Sequence, residues 1–295
     1  MFLGTSGARF SMIYQLRASG GMWIRMKGKN LVVDPGPGSL VKICDRLPEL
    51  DPTKIDAIIL THCHMDHSND LNVLAEAMTF GGRARRGTLV LPEDAAEGER
   101  KILLDHVRRH VQRLEIWKEN RVINIDDSIR IRGQRLKHHG VDCFGFTIED
   151  RDTPRIGIIS DTDYQEEWLI GFGGCKVLIS NVTLLRDIPR IDHLSVEELP
   201  KLINRLKPDI MIMDHMGTSI LESGPDDLAD SLSSSATQVI AARDNMVFDL
   251  DHLQISSHGN NEDSKTVNKL ESIVLPGMKS AIHKRGKIAN DGGQA

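Results

Sequence analysis

The stretch IDAIILTHCHMDH, residues 55–67, decides how this sequence is read: a continuous apolar run empties into seven residues carrying three histidines and an aspartate. An apolar run of that length, bounded by polar residues, reads as a buried strand. His62 and His64 alternate by two and so project to one side of an extended or turning segment. Asp66 and His67 follow as the chain bends into NDLNVLAEAM, whose Leu71, Leu74, Ala75 and Met78 have helical spacing. Strand, donor-rich loop, helix is the predicted order. Imidazole nitrogen and carboxylate oxygen suit divalent zinc, and a catalytic zinc needs three protein ligands and one open position. Four donors on one loop are too few for two such ions, so a two-metal reading requires more histidine and carboxylate at other strand ends.

The rest of the chain supplies them. His139 closes RLKHH, Asp161 follows RIGIIS, and His215 follows IMIMD, each where a strand would present it at the rim of a sheet. His193, in RIDHLS ahead of a helical pattern, is a further remote candidate. Asp34 arrives by a hairpin: MWIRMKGKNLVVD reads as two strands about Lys27-Gly28-Lys29, and PGPG stops the second. Its carboxylate is expected behind the ligands, accepting an imidazole N–H and fixing a tautomer. Cys63 and Met65 alternate with the donors and are expected to point away into packing, while Cys143 reads as core.

Farther out, GTLVL reads as a strand and GERKILLDHVRRHVQRL as one amphipathic helix. On it, His106 and His110 are one turn apart without the intervening Glu of a zincin, and are expected on a solvated face. RVINI, SIRIRG, FGFTIE and RIGIIS are short strands of an antiparallel or mixed sheet, after which KVLIS, SVEELPKLINRL, DIMIMD, PDDLADSL, TQVIAA and MVFDL alternate strand with helix. The pattern predicts an α/β fold, an αββα sandwich of two mixed sheets with helices outside, over residues 1–255. Residues 256–295 turn polar and rich in Gly, Asn and Ser, and read as a largely disordered tail.

A chain of 295 residues buries a sizeable core without disulfides, and four cysteines scattered singly suit reduced thiols in a cytoplasm. The opening MFLGTSGARFSM has neither a charged leader region nor a continuous apolar stretch, so a cytoplasmic protein that does not enter a membrane is expected. The net charge of -5 argues against a general polyanion-binding surface. GGRARRG, residues 81–87, either brings Arg83, Arg85 and Arg86 to a substrate phosphate or is a solvated loop.

The H-x-H-x-D-H loop of His62, His64, Asp66 and His67, with the later donors in order, resembles that of metallo-β-lactamase-fold hydrolases. The resemblance implies that His62, His64 and His139 hold one divalent ion, that Asp66, His67 and His215 hold a second, and that Asp161 bridges them. Zinc is the expected metal, with manganese and iron as alternatives. HHGVDCFGFTIE and HLS are similar to the ribonuclease Z branch and its related phosphodiesterases. There the histidine four residues before the Cys of a Cys-aromatic-Gly-aromatic stretch is the ligand, which selects His139 over its neighbour His138. The histidine before the helix is that branch's proposed acid, here His193, with Leu-Ser in place of Ser-Thr. The stretch from His139 to Asp161 is too short for the branch's tRNA-binding arm.

The resemblance thus implies a dinuclear phosphodiesterase for a small-molecule or oligonucleotide phosphodiester. Two ions roughly 3.5–4 Å apart lower the pKa of a shared water toward about 7 and hold the attacking and leaving oxygens. Asp66 would orient that water and His193 would protonate the leaving alkoxide, the two catalytic roles. Carboxylic ester or lactone hydrolysis on the same site, and a non-catalytic metal-binding scaffold, stay open as alternatives. A homodimer stays open beside a monomer.

Overall fold

Period-two alternation sorts the apolar residues of the first strands onto two faces. After a short helix, α1 (Arg9–Tyr14), strands β1 (Met22–Met26) and β2 (Lys29–Val33) form the expected hairpin, with Trp23 opposite Val32 and Ile24 opposite Leu31. Leu31 and Val33 face one core and Val32 another. The computed structural model describes residues 1–257, so the tail expected from residue 256 lies, beyond residue 257, outside the described residues.

The chain continues through α2 (Ser39–Cys44), β3 (Ala57–Ile59), α3 (Met65–Ser68), α4 (Leu71–Met78), β4 (Arg86–Leu91), α5 (Glu93–Ala96), α6 (Asp105–His110) and β5 (Val111–Ile116). Strands β1 to β5 form the first sheet in sequence order, antiparallel only at the hairpin. The second sheet collects β6 (Val122–Asn124), β7 (Arg130–His138), β8 (Val141–Glu149), β9 (Ile156–Ile159), β10 (Val177–Asn181), β11 (Ile210–Asp214) and β12 (Gln238–Ala241). It is antiparallel from β6 to β9 and parallel from β9 to β12. Its helices are α7 (Glu166–Leu169), α8 (Leu199–Leu206), α9 (Thr218–Ser223) and α10 (Pro225–Leu232). A hairpin of β13 (Val247–Asp249) and β14 (Gln254–Ser257) follows.

The expected four layers are present. Leu31, Val33, Ala57 and Ile59 of the first sheet meet Phe146, Ile158, Ile179 and Ile212 of the second in a central core. The outer face of the first sheet, with Val32, Ile58 and Leu89, packs on Leu71, Leu74 and Met78 of α4. The outer face of the second, with Leu178, Met211 and Met213, packs on Leu199 and Leu202 of α8 and Ile220 of α9. Among the described residues no helix is long and apolar enough to cross a membrane.

Two expectations need correction. The segment 98–114 is not one helix: α6 ends at His110 and VQRLEI becomes β5, paired in parallel with β4 from Arg86↔Val111 to Leu91↔Ile116. The backbone ladder offered by the free edge of β4 outweighs the weak helical preference of a segment bounded by two β-branched residues. Helix α1, which ends at the left-handed Gln15, was not anticipated from RFSMIY.

Ile58 is fully buried among Leu71, Leu74 and Leu89. Ile58→Ala is expected to lower the unfolding free energy by about 2–5 kcal/mol, seen as a lower urea midpoint at an unchanged slope.

Candidate metal centre

The two sheets meet beneath the donor loop through Thr61, two residues beyond β3. Its N–H donates to Asp34 Oδ1 at 2.7 Å and its hydroxyl to Asp34 Oδ2 at 2.7 Å. The Ser160 hydroxyl, at the end of β9, donates to Thr61 Oγ1 at 2.7 Å, and Phe144 N–H of β8 donates to the Thr61 carbonyl at 3.0 Å. Asp34 stands just past β2 at φ 47, a left-handed position that aspartate tolerates better than most residues. Its Oδ2 also accepts from His67 Nδ1 at 3.0 Å. One carboxylate therefore anchors the loop at both ends.

These partners fix the imidazole protons. The Thr61 hydroxyl gives its one proton to Asp34, so toward His62 Nδ1, 3.1 Å away, it can only accept. The His138 Nδ1 N–H donates to the Asp192 carbonyl at 2.7 Å. The Thr183 hydroxyl donates to the His215 carbonyl at 3.3 Å and accepts from His215 Nδ1 at 3.1 Å. With each Nδ1 proton committed outward, the Nε2 lone pairs of His62, His67, His138 and His215 turn inward.

They converge in two groups. His62 Nε2 and His138 Nε2 each lie 3.1 Å from His64 Nδ1. His215 Nε2 lies 2.9 Å from His67 Nε2 and 3.3 Å from Asp66 Oδ2. Between the groups stands Asp161, whose Oδ2 is 3.5 Å from His67 Nε2 and 3.6 Å from His138 Nε2, while Asn181 Nδ2 donates to its Oδ1 at 2.7 Å. Donors about 2.0–2.1 Å from a tetrahedral zinc lie roughly 3.3 Å from one another, so the spacing suits an ion in each group. His62–His64–His138, Asp66–His67–His215 and His62–His67–Asp161 each converge tightly enough to hold one.

The electrostatics match. Burial, aided by the charge of His67, pushes His62 well below the usual imidazole range, and burial brings His64 and His138 down to about 4. Burial works against His67 as well, yet Asp161, Asp66 and Asp34 carry it well above that range. Asp161 is held far below the usual carboxylate range, burial being outweighed by His215 and His67; for Asp66, burial is outweighed by His67 and a hydrogen bond from His215. One half of the cluster keeps neutral nitrogen donors, and the other attracts positive charge.

His62, His64, Asp66, His67, Asp161 and His215 are thus brought together. His139 stands outside these six, in a group at the rim with His138 and His193. His138, the last residue of β7, is 2% exposed and points into the cluster, whereas the His139 side chain is 38% exposed at the rim. The reason is local: β7 alternates Leu136 in, Lys137 out, His138 in, and His139 opens the turn at φ 40 with its N–H on Asp192 Oδ2 at 2.7 Å. That alternation is the signal in the sequence that turns His138 inward ahead of His139. His193 does reach the cluster's edge: its Nδ1 is 3.6 Å from Asp161 Oδ2 and has no hydrogen-bond partner among the described residues. Burial lowers that imidazole to about 4.

Other expectations divide. Cys143 is buried core, and Cys63 is half-buried with its Sγ 3.9 Å from Asp94, but Met65 is 66% exposed instead of packed. The arginine loop lies elsewhere. Arg86 begins β4 and donates to the Thr53 and Met78 carbonyls, at the end of the sheet opposite the rim. It therefore does not face the cluster.

Residues 29–216 match the family described as beta-lactamase superfamily domain. The chain belongs to this family. An uncharacterized protein of Methanocaldococcus jannaschii, MJ1374, is 30% identical over 251 residues, which span 82% of this chain and 91% of the relative. Ribonuclease Z of Bacillus mycoides is 27% identical over 155 residues, 52% of this chain and 49% of that enzyme, so the match spans about half of the enzyme's length. The crystal structure of the metallo-beta-lactamase fold protein YhfI from Bacillus subtilis superposes at a TM-score of 0.66 with 19% identity, over 82% of this chain and 94% of that one. The expected metallo-β-lactamase fold is the fold of this chain.

Two side-chain-free positions press on the cluster. A Cβ on Gly7 would lie 2.0 Å from His215 Nδ1, and one on Gly36 would lie 2.1 Å from the Asp66 carbonyl. Gly7→Ala is expected to displace the His215 ring and lower the metal content of the folded protein, measured by elemental analysis beside circular dichroism. Asp34→Asn, which removes the negative acceptor behind His67, is expected to weaken metal binding by about 10–100-fold in a chelator competition.

Proposed function

We propose that this chain is a dinuclear metal-dependent phosphodiesterase, with His62, His64 and His138 holding one divalent ion, Asp66, His67 and His215 the other, and Asp161 shared. Zinc suits this nitrogen-rich set best. When bound, the two ions supply Lewis acidity and a nucleophile competent near neutral pH.

The chain's own residues do the rest. Asp34, Thr61 and the Asp192 carbonyl hold the ligand rings in one tautomer and orientation. Asp66 orients the attacking oxygen with its remaining carboxylate oxygen. His193 stands at the cluster's edge with its Nδ1 uncommitted to any hydrogen bond among the described residues; burial keeps this imidazole neutral near pH 7, and an anionic phosphodiester beside it would restore the proton that it then gives to the departing alkoxide. A phosphodiester is an anion and carboxylic esters and lactones are neutral, so only the former would draw that proton onto His193, and this placement is the observation that favours phosphodiesters. The similarity to ribonuclease Z supports the same choice of substrate, a small-molecule or oligonucleotide phosphodiester.

The test is hydrolysis of bis(p-nitrophenyl) phosphate and p-nitrophenyl acetate by metal-reconstituted protein. Phosphodiester turnover is expected, and His64→Ala and His138→Ala should each abolish it with loss of metal, while His139→Ala keeps its metal. Turnover of the acetate alone would overturn the proposal in favour of acyl chemistry.

His193→Ala should retain metal and lose about 10²–10⁴-fold in kcat on a dinucleoside phosphate, whose alkoxide needs a proton. On p-nitrophenyl esters, whose phenolate leaves unaided, the loss should be far smaller. Equal losses on both would remove the acid role.

A further inference from the structure

The first sheet ends in an edge that is only half covered. Strand β1 is its outermost strand, and Met1 and Phe2 lie along one half of it. Phe2 bridges to Met22, the Trp23 N–H donates to the Met1 carbonyl at 2.8 Å, and the Met1 nitrogen donates to the Trp23 carbonyl at 2.8 Å. In an antiparallel pair the main-chain groups that face a given neighbour recur at every second residue. Those of Trp23 are therefore taken, and those of Arg25 are the next to face the same edge. Among the described residues no strand pairs with them.

Beside this open length lies a cavity of about 360 Å³. Its inner wall is apolar, made by Ile24 and Met26 of β1, Ile156 and Ile179 of the second sheet and Phe248 of β13. Its far side is β13, which pairs with β14 along one edge only. Two open strand edges thus flank one gap, and exposed main-chain edges of this kind select a polypeptide. From Trp23 to Lys27 the edge runs roughly 13 Å, the length of four extended residues.

The lining also sets the side chains of the occupant. Ile24 and Met26 face the core between the sheets while Trp23 faces the outer core, so a strand added here places apolar side chains opposite Ile24 and Met26 and turns the one opposite Arg25 outward. The Arg25 side chain is itself committed, its Nη2 donating to the Glu49 carbonyl at 2.7 Å. At the mouth stand the carboxylates of Asp150, Asp249 and Asp251, while Lys27 is paired with Asp152 at 2.6 Å. The mouth is net negative and suits a basic residue.

We propose that this gap is a docking site for an extended segment of a partner polypeptide, with the pattern basic, apolar, polar, apolar, that enters antiparallel to β1 as an added strand between β1 and β13. The site is separate from the metal centre and does not rest on the hydrolytic reading: Asp34 follows Val33, which lies opposite Met22 at the other end of β1.

The experiment is hydrogen-exchange mass spectrometry on the untagged whole chain with acetyl-Lys-Val-Thr-Val-amide as the probe. At millimolar concentration the probe should slow amide exchange about tenfold in residues 22–27 and 245–251, and leave hydrolysis of bis(p-nitrophenyl) phosphate unchanged. The same probe N-methylated at its threonine lacks the N–H that meets the Arg25 carbonyl and should give no slowing. Arg25→Pro removes the outward N–H without touching the ladder to β2, and should weaken the probe at least about tenfold. Absence of slowing with the unmodified probe would overturn the proposal. Equal slowing by the N-methylated probe, or by acetyl-Lys-Asp-Thr-Asp-amide, would overturn it too, since neither main-chain pairing nor the apolar wall would then select the occupant; the N-methylated probe decides the matter even where Arg25→Pro does not fold.

Discussion

The Asp34 carboxylate is the constraint on which the rim depends. It is buried at the end of β2 and takes three donors, the Thr61 N–H, the Thr61 hydroxyl and His67 Nδ1. Charge-assisted hydrogen bonds of this kind are the strong ones, and a buried carboxylate without them would be costly. The same Thr61 accepts the Ser160 hydroxyl from the second sheet, so one chain of short contacts joins the strand ends of both sheets under the loop. The orientation of His62 follows from it, because a hydroxyl with its proton already on Asp34 can meet His62 Nδ1 only as an acceptor. Tautomer, ring direction and sheet packing are therefore not separate properties here.

The charge pattern has the same origin. Three buried or half-buried carboxylates, Asp34, Asp66 and Asp161, stand against His67 and His215. His67 Nε2 and His215 Nε2 are 2.9 Å apart, a spacing that two lone pairs do not hold without a positive charge between them. The His62–His64–His138 group differs because burial keeps its nitrogens neutral, as ligands must be.

Legibility in the sequence followed the range of the interactions. The donor loop was readable because its four donors and the strand before it are contiguous, and Asp161 and His215 were readable because each ends an apolar strand. His138 and His139 are neighbours with the same chemistry, separated only by strand alternation and by the left-handed turn at His139. Spacing alone does not carry that distinction. The strand at Val111–Ile116 was hidden because its pairing with β4 is a tertiary event, while DHVRRHVQRL by itself has helical periodicity. Of the two readings open for the arginines at 83–86, the solvated loop is the one the fold favours, since Arg83 and Arg85 are exposed and Arg86 starts β4 at the end of the sheet opposite the rim.

The N-terminal segment makes the last link. GTSGARFSM offers no chemistry of its own, yet Ser6 bridges to both Ser19 and Met216, and the Gly7 N–H donates to the Met216 carbonyl at 3.1 Å. This lays bare backbone against the His215 ring, at a distance only glycine permits. Gly36 does the same at the Asp66 carbonyl, from the turn that follows Asp34. Two ligands of one proposed ion are thus held from behind by main chain, which cannot rotate away as a side chain can. A donor set that must stay close-packed in spite of its own repulsion needs such walls, and Gly7 and Gly36 are thin enough to provide them.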